Sequence, residues 1–340
     1  MLKTKFHSIE EVKKVIKSAP KANLTPSMHA QNREKNLTKP IESLGRLEEI
    51  AEWLALWQGF HPAKLENVAV HIFAGNHGIA KQGVSAFPQE VTKQMVENFN
   101  AGGAAINQLC KANNASLEVF PLDLNNPTAD FSIHPALTEP EFITAFECGW
   151  KTVNTDLDLL CVGEMGIGNT SSAAAIAYAN FGGDVKKWVG PGTGLDGKML
   201  KRKEDLIYNS IKTHKASLTD SIDILRYFGG RELVAMAGAI IAARFSKVPV
   251  FLDGYVSTAA ASCLAMINSM ALDHCKAAHS SQEPGHALLL DRLGLRPILN
   301  LDMRLGECSG AAVAINIARC ALACHNGMAT FKEAGVSSKD

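Results

Sequence analysis

Short apolar runs that each end in a glycine-bearing loop constrain this chain more than any other feature. Residues 68–73 (Val-Ala-Val-His-Ile-Phe) run into a loop over 74–83, and 117–122 is a second such run. Residues 158–162 lead into 163–169 and then an alanine-rich helix; 186–189 lead into the Gly-Pro-Gly-Thr-Gly loop of 190–194. Residues 248–252 lead into Asp253-Gly254 and a helix over 257–267. None alternates polar with apolar residues, as a strand with one wet face does. The pattern predicts an α/β fold, with a parallel sheet covered by helices on both faces. Ligands of such sheets gather in loops beyond the carboxyl ends of the strands.

Those loops hold the chain's candidate chemistry. Residues 163–170 (Gly-Glu-Met-Gly-Ile-Gly-Asn-Thr) pair close backbone approach at Gly166 and Gly168 with a helix start at Asn169 and Thr170. Free N–H groups there suit a phosphate. No Gly-Lys-Ser/Thr follows, so this is not a Walker motif. Gly190, Gly192, Thr193 and Gly194 form a second such loop. Residues 296–301 read as a buried strand, 304–310 as a turn, and 311–323 as an apolar helix. Glu307 in that turn is placed either as a general base or as an ordinary acid at a helix N-terminus. Asp253, Glu164 and His77 share its sheet edge; locally His77 reads equally as an acid, a ligand or a satisfied loop histidine. Lys203 alone reads as a solvated helix residue.

The rest of the chain bounds the class. It has 340 residues, 46% of them hydrophobic, enough for one large α/β domain or for one large and one small domain. Lys+Arg and Asp+Glu are both 34, which argues against a nucleic-acid partner. No apolar stretch spans a membrane and the first residues lack a signal-peptide core, so a cytoplasmic protein is expected. The eight cysteines form no CxxC pair and read as free thiols; Cys320, Cys324 and His325 read as an apolar helix end rather than a metal site. Residues 8–18 read as a helix capped by Ser8 with Glu11 completing a capping box. Residues 19–40 read as an extended arm, and 45–58 as a helix with Leu47, Ile50, Leu54 and Trp57 on one face.

Six stretches together resemble one family, the nicotinate-nucleotide–dimethylbenzimidazole phosphoribosyltransferases. They are 43–48 (Ser-Leu-Gly-Arg-Leu-Glu), 73–78 with 83–88, 163–170, 189–194, 252–254 and 303–307 (Met-Arg-Leu-Gly-Glu). The resemblance runs nearly end to end. It implies a Rossmann-like parallel sheet domain over 63–315, a small helical domain from 1–62 and 316–340, and a homodimer. It implies transfer of 5-phosphoribose from nicotinate mononucleotide to dimethylbenzimidazole, with Glu307 as base, Glu164 as second active-site acid and Lys203 on the phosphate side. Neither a metal nor another cofactor is called for. A flat slot formed by Phe87, Met95 and Leu305 would hold the base. Many members have Asp-His-Gly where this chain has Asn76-His77-Gly78, and Gly is usual where it has Cys308. Two rival readings are a nucleotide hydrolase and a non-catalytic nucleotide-binding protein.

Overall fold

The computed structural model describes residues 5–192 and 194–337. Three helices, α1 (Ile9–Lys17), α2 (Thr25–Asn36) and α3 (Arg46–Gln58), precede β1 (Val68–Ala74). Helices α4 (Glu90–Ala101) and α5 (Ala105–Ala112) lead to β2 (Ser116–Pro121), and α6 (Glu139–Lys151) leads to β3 (Leu159–Met165). Next come α7 (Asn169–Phe181), α8 (Gly197–His214), α9 (Ser221–Phe228), α10 (Arg231–Ser246) and β4 (Val250–Leu252). Helix α11 (Tyr255–Ile267), β5 (Cys275–Ala277), α12 (Pro284–Leu293), α13 (Ser309–Gly327) and α14 (Phe331–Ala334) complete the described chain.

The five strands are parallel, in the order β2-β1-β3-β4-β5. Successive residues of β1 serve two cores. Ala69 and Phe73 join one with α6, α7, α10 and α11, while Val68, Val70 and Ile72 join another with α3, α5 and α13. Burial on both faces explains the unbroken apolar runs. Helix α10 is mostly apolar, buried on all sides and packed closely on α6. A Cβ on Gly149 would lie 1.7 Å from the Ala235 carbonyl oxygen, and one on Gly238 2.2 Å from that of Phe146. Chain order reverses between β1 and β3, which opens a crevice at their carboxyl ends.

Three local expectations need correction. Residues 19–40 are not an extended arm, because α2 occupies their centre. That helix has no apolar stripe to reveal it and is held by polar tertiary bonds. Ser27 Oγ and Gln31 Nε2 donate to Glu52 Oε1 at 2.7 and 2.6 Å, and Arg33 donates to the carbonyls of His325 and Met328 at 2.7 and 3.0 Å. Residues 186–189 form no strand but a short 3₁₀ turn, Val185–Lys187, followed by buried Trp188. Of 296–301, only Leu299 bridges, to His279. The fifth strand is instead the three-residue β5, too short to show in a periodicity. At the chain start, Ser8 does cap α1 by accepting from the Glu11 N–H at 3.3 Å, while the Glu11 carboxylate accepts from the His7 N–H at 3.1 Å. No helix among the described residues is long and apolar enough to cross a membrane.

Candidate active site

A cavity of about 260 Å³ opens at the carboxyl ends of β3, β4 and β5. Its wall begins with Glu164, the penultimate residue of β3. The strand runs on to Met165, so the glycine loop is shorter than its sequence suggests, and Gly163 lies within the sheet. It does so for a packing reason: a Cβ there would sit 2.4 Å from the Cys308 Cβ and 2.5 Å from its backbone nitrogen. Gly166 and Ile167 then turn the chain into α7, where Asn169 Nδ2 donates to Glu164 Oε2.

Glu307 approaches from the opposite wall on an unusual backbone. Gly306, Glu307 and Cys308 have φ of 79°, 58° and 61°, three left-handed residues in succession. For the two non-glycines this costs about 1–2 kcal/mol each. Asp253, at the end of β4, holds the turn in place. Its Oδ1 accepts from the Ala311 N–H at 2.9 Å, and the N–H groups of Gly310 and Cys308 also stabilise its carboxylate. Ser309 Oγ donates to the Gly306 carbonyl at 2.7 Å. Cys308 is the N-cap of α13, and Asp253 supplies the capping oxygen from another strand. Glu307 is thereby spared the capping role that its position suggested, and it lines the cavity.

Three buried carboxyls are crowded here. Burial, then the charges of Asp253 and Glu232, push Glu164 up to about 8, with the Asn169 hydrogen bond opposing. Burial and the Asp253 charge push Glu307 up to about 7; burial alone raises Asp253 to about 7. The same shifts bear on stability. Unfolded, Glu164 ionises near pH 4.3, whereas in the fold it keeps its proton to about 8. Above about pH 4.3 the unfolded chain binds fewer protons, so stability falls as pH rises towards 8. Glu164→Gln cannot ionise. Its thermal midpoint should exceed that of the parent by about 5 °C at pH 8 and match it near pH 4. Equal midpoints at both pH values would contradict the buried, protonated carboxyl.

Of the residues expected at the site, the cavity brings together Glu164, Gly166, Asn169, Thr170, Gly192, Phe87, Leu305 and Glu307. Others lie behind its walls. Lys203 is fully buried under the 190–192 backbone, where Nζ donates to Thr170 Oγ1 at 3.0 Å and to the Gly190 carbonyl at 3.2 Å. Burial lowers its pKa to about 8. His77 faces away from the cavity. Its Nε2 meets Glu232 Oε1 and its Nδ1 meets Ser172 Oγ at 2.9 Å, which makes it a satisfied buried histidine. Gly168, left-handed at φ 99°, packs on His77 and Ala80, and Gly190 packs on Glu283. Gly194 is exposed and Asp253 is one layer back. Met95 sits on α4 against the core, outside the base slot expected for it; Met165 and Ile167 line the cavity instead. Thr193 lies outside the described residues.

Tyr255, His279 and Glu283 also line the cavity, and nothing in the sequence pattern singled them out. The last two follow β5, so recognising that strand would have drawn attention to them. His325, considered for a metal cluster with Cys320 and Cys324, pairs instead with Glu34 at 2.6 Å and His61 at 2.9 Å.

A family profile described as phosphoribosyltransferase matches residues 19–336. The nicotinate-nucleotide–dimethylbenzimidazole phosphoribosyltransferase of Mesorhizobium japonicum is 53% identical over 334 residues, covering 98% of this chain and 99% of that protein. The protein of the same name from Rhizobium rhizogenes is 51% identical over 330 residues, covering 97% of each. Among solved structures, CobT from Thermus thermophilus superposes with a TM-score of 0.84 at 38% identity, covering 92% of this chain and 99% of that one.

Proposed function

The chain belongs to the nicotinate-nucleotide–dimethylbenzimidazole phosphoribosyltransferase family, and on that premise we propose that it transfers 5-phosphoribose from nicotinate mononucleotide to 5,6-dimethylbenzimidazole. The products are α-ribazole 5′-phosphate and nicotinate. The observation that carries this reading is the placement of Glu164 and Glu307 across one cavity, beside the N-terminus of α7. The leaving ring is a pyridinium, so its nitrogen takes the bonding electron pair and departs without a proton. Positive charge that develops on the sugar carbon faces carboxyl oxygens. One benzimidazole nitrogen attacks that carbon from the opposite face, turning a β-linkage into an α-linkage. The other nitrogen loses its proton to Glu307. Apolar Phe87, Met165, Ile167 and Leu305 suit a flat aromatic ring, and Thr170 and Gly192 suit the phosphate.

Because the base must be ionised, kcat/KM should rise as pH climbs through about 7, where Glu307 loses its proton. The test follows nicotinate release with and without dimethylbenzimidazole, with the product's anomeric configuration read by NMR. Release that needs the base and gives an α-linked product is expected. Equal release without the base would make the protein a hydrolase. Binding of the nucleotide without release would make it a binding protein.

A further inference from the structure

Glu283 has no part in the reaction set out above, yet it lines the cavity and is 7% exposed. It directly precedes α12. The 190–192 backbone lies against its carboxylate: a Cβ on Gly190 would come within 2.1 Å of Oε2. That Oε2 has no hydrogen-bond partner among the described residues. Burial works against its charge, while the charge of Lys203, the Gly192 N–H and the charge of Arg304 favour the ionised form. Of these, Gly192 also faces the nucleotide's phosphate in the reading above, with Lys203 directly behind it, bonded to Thr170 and Gly190. The cradle therefore already contains an anion of its own. A carboxylate and a phosphate dianion sharing one buried set of donors repel each other, and the weaker acid of the two holds a proton.

We propose that Glu283 is a resident anion of the phosphate cradle, which keeps Gly192 and Lys203 in place in the free protein and takes up a proton when phosphate enters. It is a positioning residue that sets nucleotide affinity, and this inference rests on the proposed function. The groups facing it are Lys203 from α8, Tyr255 from α11 and Arg304 from the turn before α13; Glu164, Glu307 and His279 lie across the cavity. Burial raises its pKa above the usual carboxylate value, against the pull of Lys203, the Gly192 N–H and Arg304, which makes proton uptake easier than for an exposed glutamate.

The test is calorimetry of inorganic phosphate and of nicotinate mononucleotide binding to wild type and Glu283→Gln, near pH 6 and near pH 8. With the competing charge gone, the variant should bind phosphate about tenfold tighter near pH 8, with little gain near pH 6. Titration of the wild type near pH 8 in buffers of different ionisation enthalpy should show proton uptake on binding. This second readout needs no variant to fold. Weaker binding by the variant at both pH values would make Glu283 a plain support and overturn the proposal, as would a wild type that takes up no proton. If neither ligand binds the wild type, the nucleotide reading fails as well, which separates the two failures.

Discussion

Replacing Glu307 with glutamine will leave nicotinate mononucleotide bound and cut nicotinate release by about 10²–10⁴-fold, the range of a positioned general base. Glutamine keeps the shape of the side chain and cannot take the benzimidazole proton. Asp253 and Ser309 hold the turn through Ala311 and Gly306, so the backbone around residue 307 has no need of the carboxylate. Nucleotide affinity measured by calorimetry should stay within a few-fold. Near-normal turnover in this variant would remove Glu307 from the role of base. A matching loss of binding and turnover would instead give it a ground-state contact.

The second large effect is expected from a residue that touches no ligand. Glycine-to-alanine at 163 adds one methyl group inside β3, where Cys308 Cβ, N and Cα would lie at 2.4, 2.5 and 2.6 Å. Neither side yields easily. β3 is paired to β1 on one edge and β4 on the other, and Cys308 starts α13 beneath the Asp253 carboxylate. Overpacking of this kind costs about 1–3 kcal/mol. At this chain size it should lower the thermal midpoint by about 2–4 °C. Relief comes mainly by pushing the 306–308 turn outward and carrying Glu307 with it. A misplacement approaching an ångström costs about 10²-fold in rate. The measurement is turnover at a temperature where the variant is still folded by circular dichroism. Full turnover there would mean that the turn absorbs the methyl without moving Glu307.

The parts of this molecule legible in its sequence are those in which local chemistry and tertiary environment agree. Strands β1 and β3 are long and buried on both faces, so their apolar runs are unmistakable. Helices α1 and α13 carry a cap or a long apolar face. What was hidden depended on distant partners. Helix α2 is polar on all sides and is secured by Glu52 and by the far end of α13. Strand β5 has only three residues. The same holds at the site. Glu164 and Glu307 stood out because each is a carboxyl among glycines at the sheet's ligand edge. His77 sat in an equally suggestive loop, but its partners Glu232 and Ser172 are 155 and 95 residues away. No local pattern says that they satisfy it. Met95 lies off the pocket because α4 turns Thr92, Val96 and Phe99 inward and packs Met95 against the same core.

The strand order has a consequence for how activity arises as the chain is made. Glu164 sits on β3 near the middle of the sequence. Asp253, which holds the opposite turn, follows β4, and Glu307 precedes only the last two helices. Synthesis proceeds from the N-terminus, and early segments begin to pack before late ones emerge. The α7 and α8 part of the phosphate side is therefore made well before Glu283 and the base arrive. A growing or C-terminally broken chain presents an unfinished pocket with one protonated acid. Turnover in this protein thus reports that the last segment has been delivered and seated.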